Sequence, residues 1–363
     1  MLPQGGILSG QIKSSMDNAA FCIPWVAFCM STYKRPDLLY NQLKLLQSQT
    51  FSNFEVIISD NDPGQSGKEI VDRLNDKRLK YYSNTQNIGM VKSFNRSIEN
   101  ATAKFIAMLT DDDPVNPNML QTLYDLSVKH TDYGMYFGGN DRFYATVSAA
   151  KLSGAKVGCN SQLAQLDEGT IRVFSAKDFP MAYLTEDFGG GILWSVGIIK
   201  REIVLSIGGL PDYGSPNMTD SAYLLLSGSR QGAVFINTSL GTQNIHKDNY
   251  SFTNANYEHF SKGVSGFYEF VKKKLPPQIY NDTLDQSLKN YTARTIIALL
   301  IFAKRNMWKS KIQNNSFEKC VVEIFDIRFM RKWKLKYYLA VYFPPLFSLL
   351  VSLKNKLSNK VSL

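Results

Sequence analysis

Cysteine and histidine are scarce in this 363-residue sequence. The four cysteines (Cys22, Cys29, Cys159, Cys320) form no C-x-x-C pair. That argues against a disulfide framework or a structural zinc site, and for a reducing compartment. Three histidines, His130, His246 and His259, are too sparse for an all-histidine metal cage. No apolar run reaches the roughly 18 unbroken residues of a membrane-spanning helix. No G-x-G-x-x-G follows the first strand pattern, which excludes the usual dinucleotide-dependent oxidoreductase. A basic-then-apolar signal peptide is also missing, and residues 1–22, rich in Gly, Ser, Gln and Asn without period, read as a loose leader. There is neither internal repeat nor low-complexity tract. With 44% hydrophobic and 20% charged residues, the composition is that of a globular protein rather than a disordered or fibrous one.

The net charge of +10 is not spread along the chain. Residues 304–363 carry thirteen Lys and Arg against Glu318, Glu323 and Asp326, so the last sixth of the sequence accounts for all of it. A nucleic-acid binder would need those cations on a folded face with aromatic stacking positions between them. Here they flank an apolar stretch instead, and no nucleic-acid partner is expected.

From residue 24 onward short β-rich runs alternate with amphipathic stretches. Residues 24–31, 54–60, 78–83 and 104–109 read as strands. Helical patterns open at Pro36 and cover about 67–76, 89–101 and 117–129. This alternation predicts an α/β fold with a mostly parallel central sheet and helices on both faces. Residues 139–190 give a weaker signal. Residues 191–199 and 232–237 read as further strands, and beyond residue 255 the chain turns helical and basic.

In such sheets ligands bind beyond the carboxyl ends of the strands. Three of those ends carry chemistry: Ser31-Thr32-Tyr33-Lys34-Arg35-Pro36, Asp60-Asn61, and Asp111-Asp112-Asp113. Adjacent carboxylates repel one another, so a fold that clusters them supplies a cation, or else leaves them as a solvated turn before the helix near Pro117. Carboxylates, a divalent metal and a basic residue at one sheet edge suit a nucleotide diphosphate.

The blocks CMSTYKRPDLL, FEVIISDN, NTQNIGMVKSFNRSI, KFIAMLTDDDPVNPNML and VGIIKREIVLSIGGL stand in the order seen in family 2 glycosyltransferases. Over about residues 24–250 the chain resembles that family and its GT-A fold, a Rossmann-like sheet sandwich. Its pattern is most similar to abequosyltransferase-like sugar transferases of bacterial surface polysaccharide assembly. The resemblance implies a GT-A domain over 23–252 and a helical, basic region over 253–363, with a membrane-associating segment at about 331–360. It also implies roles. Thr32 and Arg35 lie in the first nucleotide loop, Asp60 accepts a hydrogen bond from the base, and Asn87 and Gly89 form the N-x-G turn. Lys92 lies on the helix that follows, Asp111 near the ribose. Asp112 and Asp113, with His246 as a third ligand, are expected at a Mn²⁺ or Mg²⁺ ion. Thr110 stands where the commoner D-x-D pattern has its first Asp, which leaves the division of labour within the triplet open.

Asp220, just after the Gly208-Gly209 turn, is the expected catalytic base, since a carboxylate facing the anomeric carbon can take the acceptor hydroxyl's proton. Glu186 and Asp187 are its rivals, and capping of its own helix is its bland alternative. In the tail, RKWKLK (331–336) precedes the 17-residue run 337–353, which Pro344-Pro345 forbids from forming one straight helix. Flanked by Lys354, Lys356 and Lys360, it predicts an interfacial segment meeting anionic lipid.

The expected activity is therefore transfer of a sugar from a nucleotide-diphosphate sugar to a hydroxyl of a lipid-linked saccharide. It would be metal-assisted and inverting, on the cytoplasmic side and peripheral at the inner face of the cell membrane. A catalytically inactive, membrane-docked partner of a polysaccharide assembly complex is the alternative. A sugar-phosphate nucleotidyltransferase would want a glycine-rich loop after the first strand, and STYKRP has no glycine.

Overall fold

A computed structural model of the chain describes residues 23–147, 150, 155–163, 166–188, 192–245, 260–309 and 314–350. The expected alternation is present: β1 (Val26–Thr32), α1 (Pro36–Gln47), β2 (Phe54–Asp60), α2 (Lys68–Leu74), β3 (Leu79–Ser83), α3 (Met90–Asn100), β4 (Phe105–Leu109) and α4 (Met119–Lys129). β1 pairs in parallel with both β2 and β4, and β2 with β3. The chain therefore reverses its direction of travel across the sheet at β1, which opens a crevice beyond the carboxyl ends of β1 and β4.

Period-two burial explains why these strands are apolar throughout. Ala27 and Cys29 of β1 face one core, while Val26, Phe28 and Met30 face the other. In β4, Ile106 and Met108 join the first, and Phe105, Ala107 and Leu109 the second. Both faces are covered, as a parallel sheet requires.

The second half differs from its expected form. β5 (Met135–Tyr144), β6 (Gly158–Ser161), β7 (Ile171–Phe174), α5 (Phe179–Thr185), β8 (Gly197–Lys200), α6 (Arg201–Ile207), α7 (Thr219–Gln231) and β9 (Ala233–Ile245) complete a sheet of order β3-β2-β1-β4-β8-β5-β9-β7, with β6 paired to β5. The strand expected over 191–199 is a short 3₁₀ turn at Trp194–Val196 followed by β8. β9, expected to end at 237, runs on to Ile245 because β5 pairs with it in parallel along its length. Antiparallel β8 sits between β4 and β5, so the sheet is mixed.

The carboxyl-terminal helices are α8 (Phe260–Lys274), α9 (Asp282–Lys309), α10 (Asn315–Asp326) and α11 (Lys334–Tyr342). Their buried side chains, among them Phe260, Phe267, Leu288, Leu300 and Phe317, belong to the same core as Ala27 and Ile106. The expected boundary near residue 252 therefore does not divide two cores. α11 ends at Tyr342, and a new helical stretch begins at Pro344, where the proline pair interrupts the run.

Candidate active site

At the crevice, β1 and β4 bring their ends together. Thr32 Oγ1 donates to Asp111 Oδ2 at 3.0 Å. Arg35 donates through Nη1 to Asp111 Oδ1 at 3.2 Å and to Asp112 Oδ2 at 3.4 Å. Lys34, with φ at +55°, turns the chain so that Arg35 precedes α1. Burial, and after it the neighbouring Asp112 charge, push the Asp111 carboxyl upward, against the pull of Arg35.

Asp113 turns to the other side. It is buried, its Oδ1 accepts from the Asn244 backbone N–H at 2.9 Å, and its carbonyl accepts from Gln42 Nε2 at 2.9 Å. Asn244 Nδ2 donates to the Asp112 carbonyl at 2.6 Å. The far end of β9 is thereby fastened to the triplet. Burial and the Asp112 charge raise the Asp113 carboxyl to about 7.

Asp60 is completely buried. Its oxygens accept from the backbone N–H groups of Asp62 and Gly67, both at 2.9 Å, and from Tyr81 Oη at 2.7 Å. In this arrangement it shapes the 60–67 loop, with no surface turned toward a base. Asn61 beside it is tied to the N-x-G turn instead: its Nδ2 donates to Asn87 Oδ1 at 2.7 Å, and its Oδ1 accepts from Ile88 N at 2.9 Å. Asn87 Oδ1 also accepts from Gly89 N at 2.9 Å. Gly89 holds φ at +84°, where a side chain would be strained, and starts α3 from there. Lys92 lies exposed on the first turn of α3. His246 lies outside the described residues.

Asp220 occupies a different place. Met218, with φ at +64°, is the cap residue of α7 and supplies no side-chain bond, while Asp220 Oδ1 accepts from the Ser221 backbone N–H at 2.8 Å. It thus satisfies one free donor of the helix start. The carboxyl is surrounded by protein yet open to solvent, because it lies in a cavity of about 160 Å³. Burial raises its affinity for a proton. Ser221 Oγ and Tyr291 Oη lie 3.0 Å apart, so α9 contributes to this cavity. Glu186, one of the rival bases, lines it too, but pairs with Arg294 at 3.2 Å. Asp187 is bound to Arg172 at 2.8 Å. On the sheet side the cavity is bounded by Asn140 and Arg142 of β5 and Gln243 of β9. Sequence reasoning missed these three, and Tyr291 as well, because they are scattered over 150 residues in stretches of weak pattern.

The structure thus places Thr32, Arg35, Asp111 and Asp112 in one bonded group, and Asn87 and Gly89 beside the end of β2. Asp220 stands apart in a cavity whose wall, β9, also holds the triplet. Residues 27–175 match the family model described as glycosyl transferase family 2. Over that stretch the chain is similar to family 2 glycosyltransferases. Over 120 residues it is 31% identical to a GalNAc(5)-diNAcBac-PP-undecaprenol beta-1,3-glucosyltransferase of Campylobacter jejuni, a match covering 32% of this chain and 38% of that protein. Over 111 residues it is 25% identical to the Escherichia coli UDP-Glc:alpha-D-GlcNAc-diphosphoundecaprenol beta-1,3-glucosyltransferase WfgD, covering 31% of this chain and 44% of that one. The chain thus spans less than half the length of these curated relatives. Both are glucosyltransferases, so the narrower abequosyltransferase-like resemblance holds only approximately. Among solved structures, S. aureus TarS 1-349 in complex with UDP-GlcNAc superposes with a TM-score of 0.59 at 13% identity, covering 87% of this chain and 81% of that one. The fold of the domain is GT-A, continued by a helical carboxyl-terminal region.

A divalent metal would have to share or displace part of this network, since Arg35 also donates to Asp112 Oδ2 at 3.4 Å. The Asp111 oxygens are engaged by Thr32 and Arg35, and the Asp113 oxygen by Asn244. Among the described residues no group of three His, Cys, Asp or Glu is arranged to hold a metal. The donor set of hard carboxylate oxygens nonetheless has the chemistry of a Mg²⁺ or Mn²⁺ site.

Proposed function

We propose that the chain is a glycosyltransferase that moves a sugar from a nucleotide-diphosphate donor to a hydroxyl of a lipid-linked saccharide, in bacterial surface polysaccharide synthesis. The observation that carries this reading is the join between two sites. The Thr32–Arg35–Asp111–Asp112 group at the switch point suits a nucleotide diphosphate, and the cavity holding Asp220 opens across the β9 wall that fastens the triplet. The names of the relatives, which act on diphospho-undecaprenol saccharides, support the acceptor class.

In this reading Arg35 faces the diphosphate and Asp112 would hold a divalent metal. Such a metal would supply positive charge to the leaving group. Asp113 serves chiefly to anchor β9, and Asn61, Asn87 and Gly89 set the loop against which the nucleoside rests. Asp220 receives the proton of the acceptor hydroxyl as its oxygen attacks from the face opposite the leaving group, which inverts the anomeric centre. Its raised proton affinity suits a base that must take up a proton.

The membrane surface is the second partner. Leu335, Phe343, Leu346, Leu349 and Leu350 are 45–68% exposed, and Lys and Arg flank them in sequence. No helix among the described residues is long and apolar enough to cross a membrane. A peripheral position at the inner face, where a lipid-linked acceptor resides, accommodates both features.

Calorimetric binding of UDP, GDP, CDP and dTDP, each with and without Mn²⁺, tests the reading. One nucleotide should bind in a metal-dependent manner, and Asp112→Asn should lose that dependence. If folded protein binds none of the four, the inactive-partner reading takes its place.

A further inference from the structure

Arg142 is the cation of the Asp220 cavity that no carboxylate among the described residues neutralises. Glu186, in the same wall, already has Arg294 at 3.2 Å, and Asp220 makes no ion pair with Arg142. Arg142 donates its Nε to Gln243 Oε1 at 3.0 Å. That bond fixes the plane of the guanidinium and leaves its two terminal nitrogens for a ligand, the geometry in which arginine grips a carboxylate or phosphate through two parallel bonds.

The backbone explains how this residue comes to face the cavity. The β5–β9 ladder slips at Gly138/Gly139 and again at Gly139/Asp141, after which Arg142 lies directly opposite Gln243. Bulges of this sort re-aim side chains next to functional sites. One residue further along β9 the side chains alternate, and Asn244 reaches the acidic triplet rather than the cavity. Arg142 and Gln243 therefore line the Asp220 cavity, while the next residue of β9 is tied to the triplet.

We infer that Arg142, oriented by Gln243, is an oxyanion-binding residue for the acceptor: the incoming saccharide carries a carboxylate or phosphate close to the hydroxyl that is glycosylated. A uronic acid ring and the diphosphate of a lipid-linked first sugar are the two sources of that chemistry. The inference rests on the acceptor-side reading of the Asp220 cavity.

Three probes separate the possibilities in binding measurements on the full chain: methyl glucuronide, N-acetylglucosaminyl diphosphate esterified to a short alcohol, and neutral methyl glucoside. The wild type should bind at least one anionic probe more tightly than the neutral one. Arg142→Met should weaken that probe by roughly tenfold or more, Arg142→Lys by less, and neither should change methyl glucoside binding. The probe affected tells a uronate from a diphosphate. The four nucleoside diphosphates are measured on the same samples. Unchanged nucleotide affinity in Arg142→Met with weakened probe binding supports the inference. Weakened nucleotide affinity with unchanged probe binding assigns Arg142 to the donor and overturns it. No anionic preference in the wild type, or none lost in Arg142→Met at an unaltered melting temperature, also overturns it while leaving the transferase reading standing if a nucleotide binds. Loss of all nucleotide binding by the wild type removes both.

Discussion

Asp220 shows what a buried carboxyl does when it remains open to a cavity. Burial raises its proton affinity above the ordinary carboxylate value of 3.8. A base must be unprotonated to act, so the acid limb of the pH–rate profile should lie above the usual carboxylate range, and Asp220→Asn should abolish transfer while leaving nucleotide binding intact. The same shift has a consequence for stability. Below 3.8 both folded and unfolded chains hold the proton. As pH rises through the raised value, the folded chain alone retains it for longer, so stability falls. Asparagine, neutral throughout, keeps the bond to Ser221 N and escapes that loss. Melting curves of Asp220→Asn and wild type should therefore lie closest near pH 4 and separate in favour of the variant as pH rises to 8. A variant less stable than the wild type at pH 8 would mean that a cation of the cavity wall, such as Arg142, holds the carboxylate. Legibility at this scale follows locality. Asp111, Asp112 and Asp113 announce themselves by adjacency, and Asp220 by its place after a glycine pair. Asp60 stands at a position of the same kind, and its oxygens accept from the 60–67 loop and from Tyr81 of β3. Arg142 has no local signature at all.

Among the elements, β1, β2 and β4 were readable because each is buried on both faces, which leaves an apolar run bounded by polar residues, whereas β3 is a half-exposed edge strand. β5 and β9 were not. Their pairing is broken by two register shifts near Gly138-Gly139, and their outer halves alternate polar residues toward the cavity, which masks the strand period. α9 hides a different kind of information. Its sequence reads as an ordinary helix of the carboxyl-terminal region, yet it delivers Tyr291 and Arg294 to the cavity wall, where they meet Ser221 and Glu186. The helical region thus helps to build the Asp220 cavity rather than standing apart as an appendage. Tyr291→Phe removes the partner of Ser221 Oγ in a buried position and should cost about 1 kcal/mol of stability. Because Ser221 adjoins Asp220, the rate should also fall, with nucleotide affinity unchanged. Wild-type activity in Tyr291→Phe would confine α9 to a packing role.

At the scale of the whole molecule, charge and apolar exposure coincide. The chain outside residues 304–363 is neutral, and in sequence the cations of that last stretch flank the exposed Leu346, Leu349 and Leu350 on the helical segment after Pro344. α11 itself is half committed: Tyr337, Ala340 and Val341 are buried against the protein, while Leu335 and Tyr342 face outward. The proline pair separates these tasks, ending the helix that packs and starting one with little to pack against. An apolar patch of this kind on a soluble face invites aggregation unless something covers it, and a lipid surface answers both the leucines and the lysines. The double substitution Leu346→Asp with Leu350→Asp should therefore abolish co-sedimentation with vesicles containing anionic lipid. Melting temperature and nucleotide affinity should stay unchanged, because both side chains are almost half exposed. Binding by the wild type should weaken as salt rises, since each cation near the headgroups contributes up to about 1 kcal/mol that screening removes, but the leucines should hold a residual affinity at high salt. Equal vesicle binding by the double variant and the wild type would show that the cations act alone. Absence of binding by either would leave the leucines to be covered by another protein.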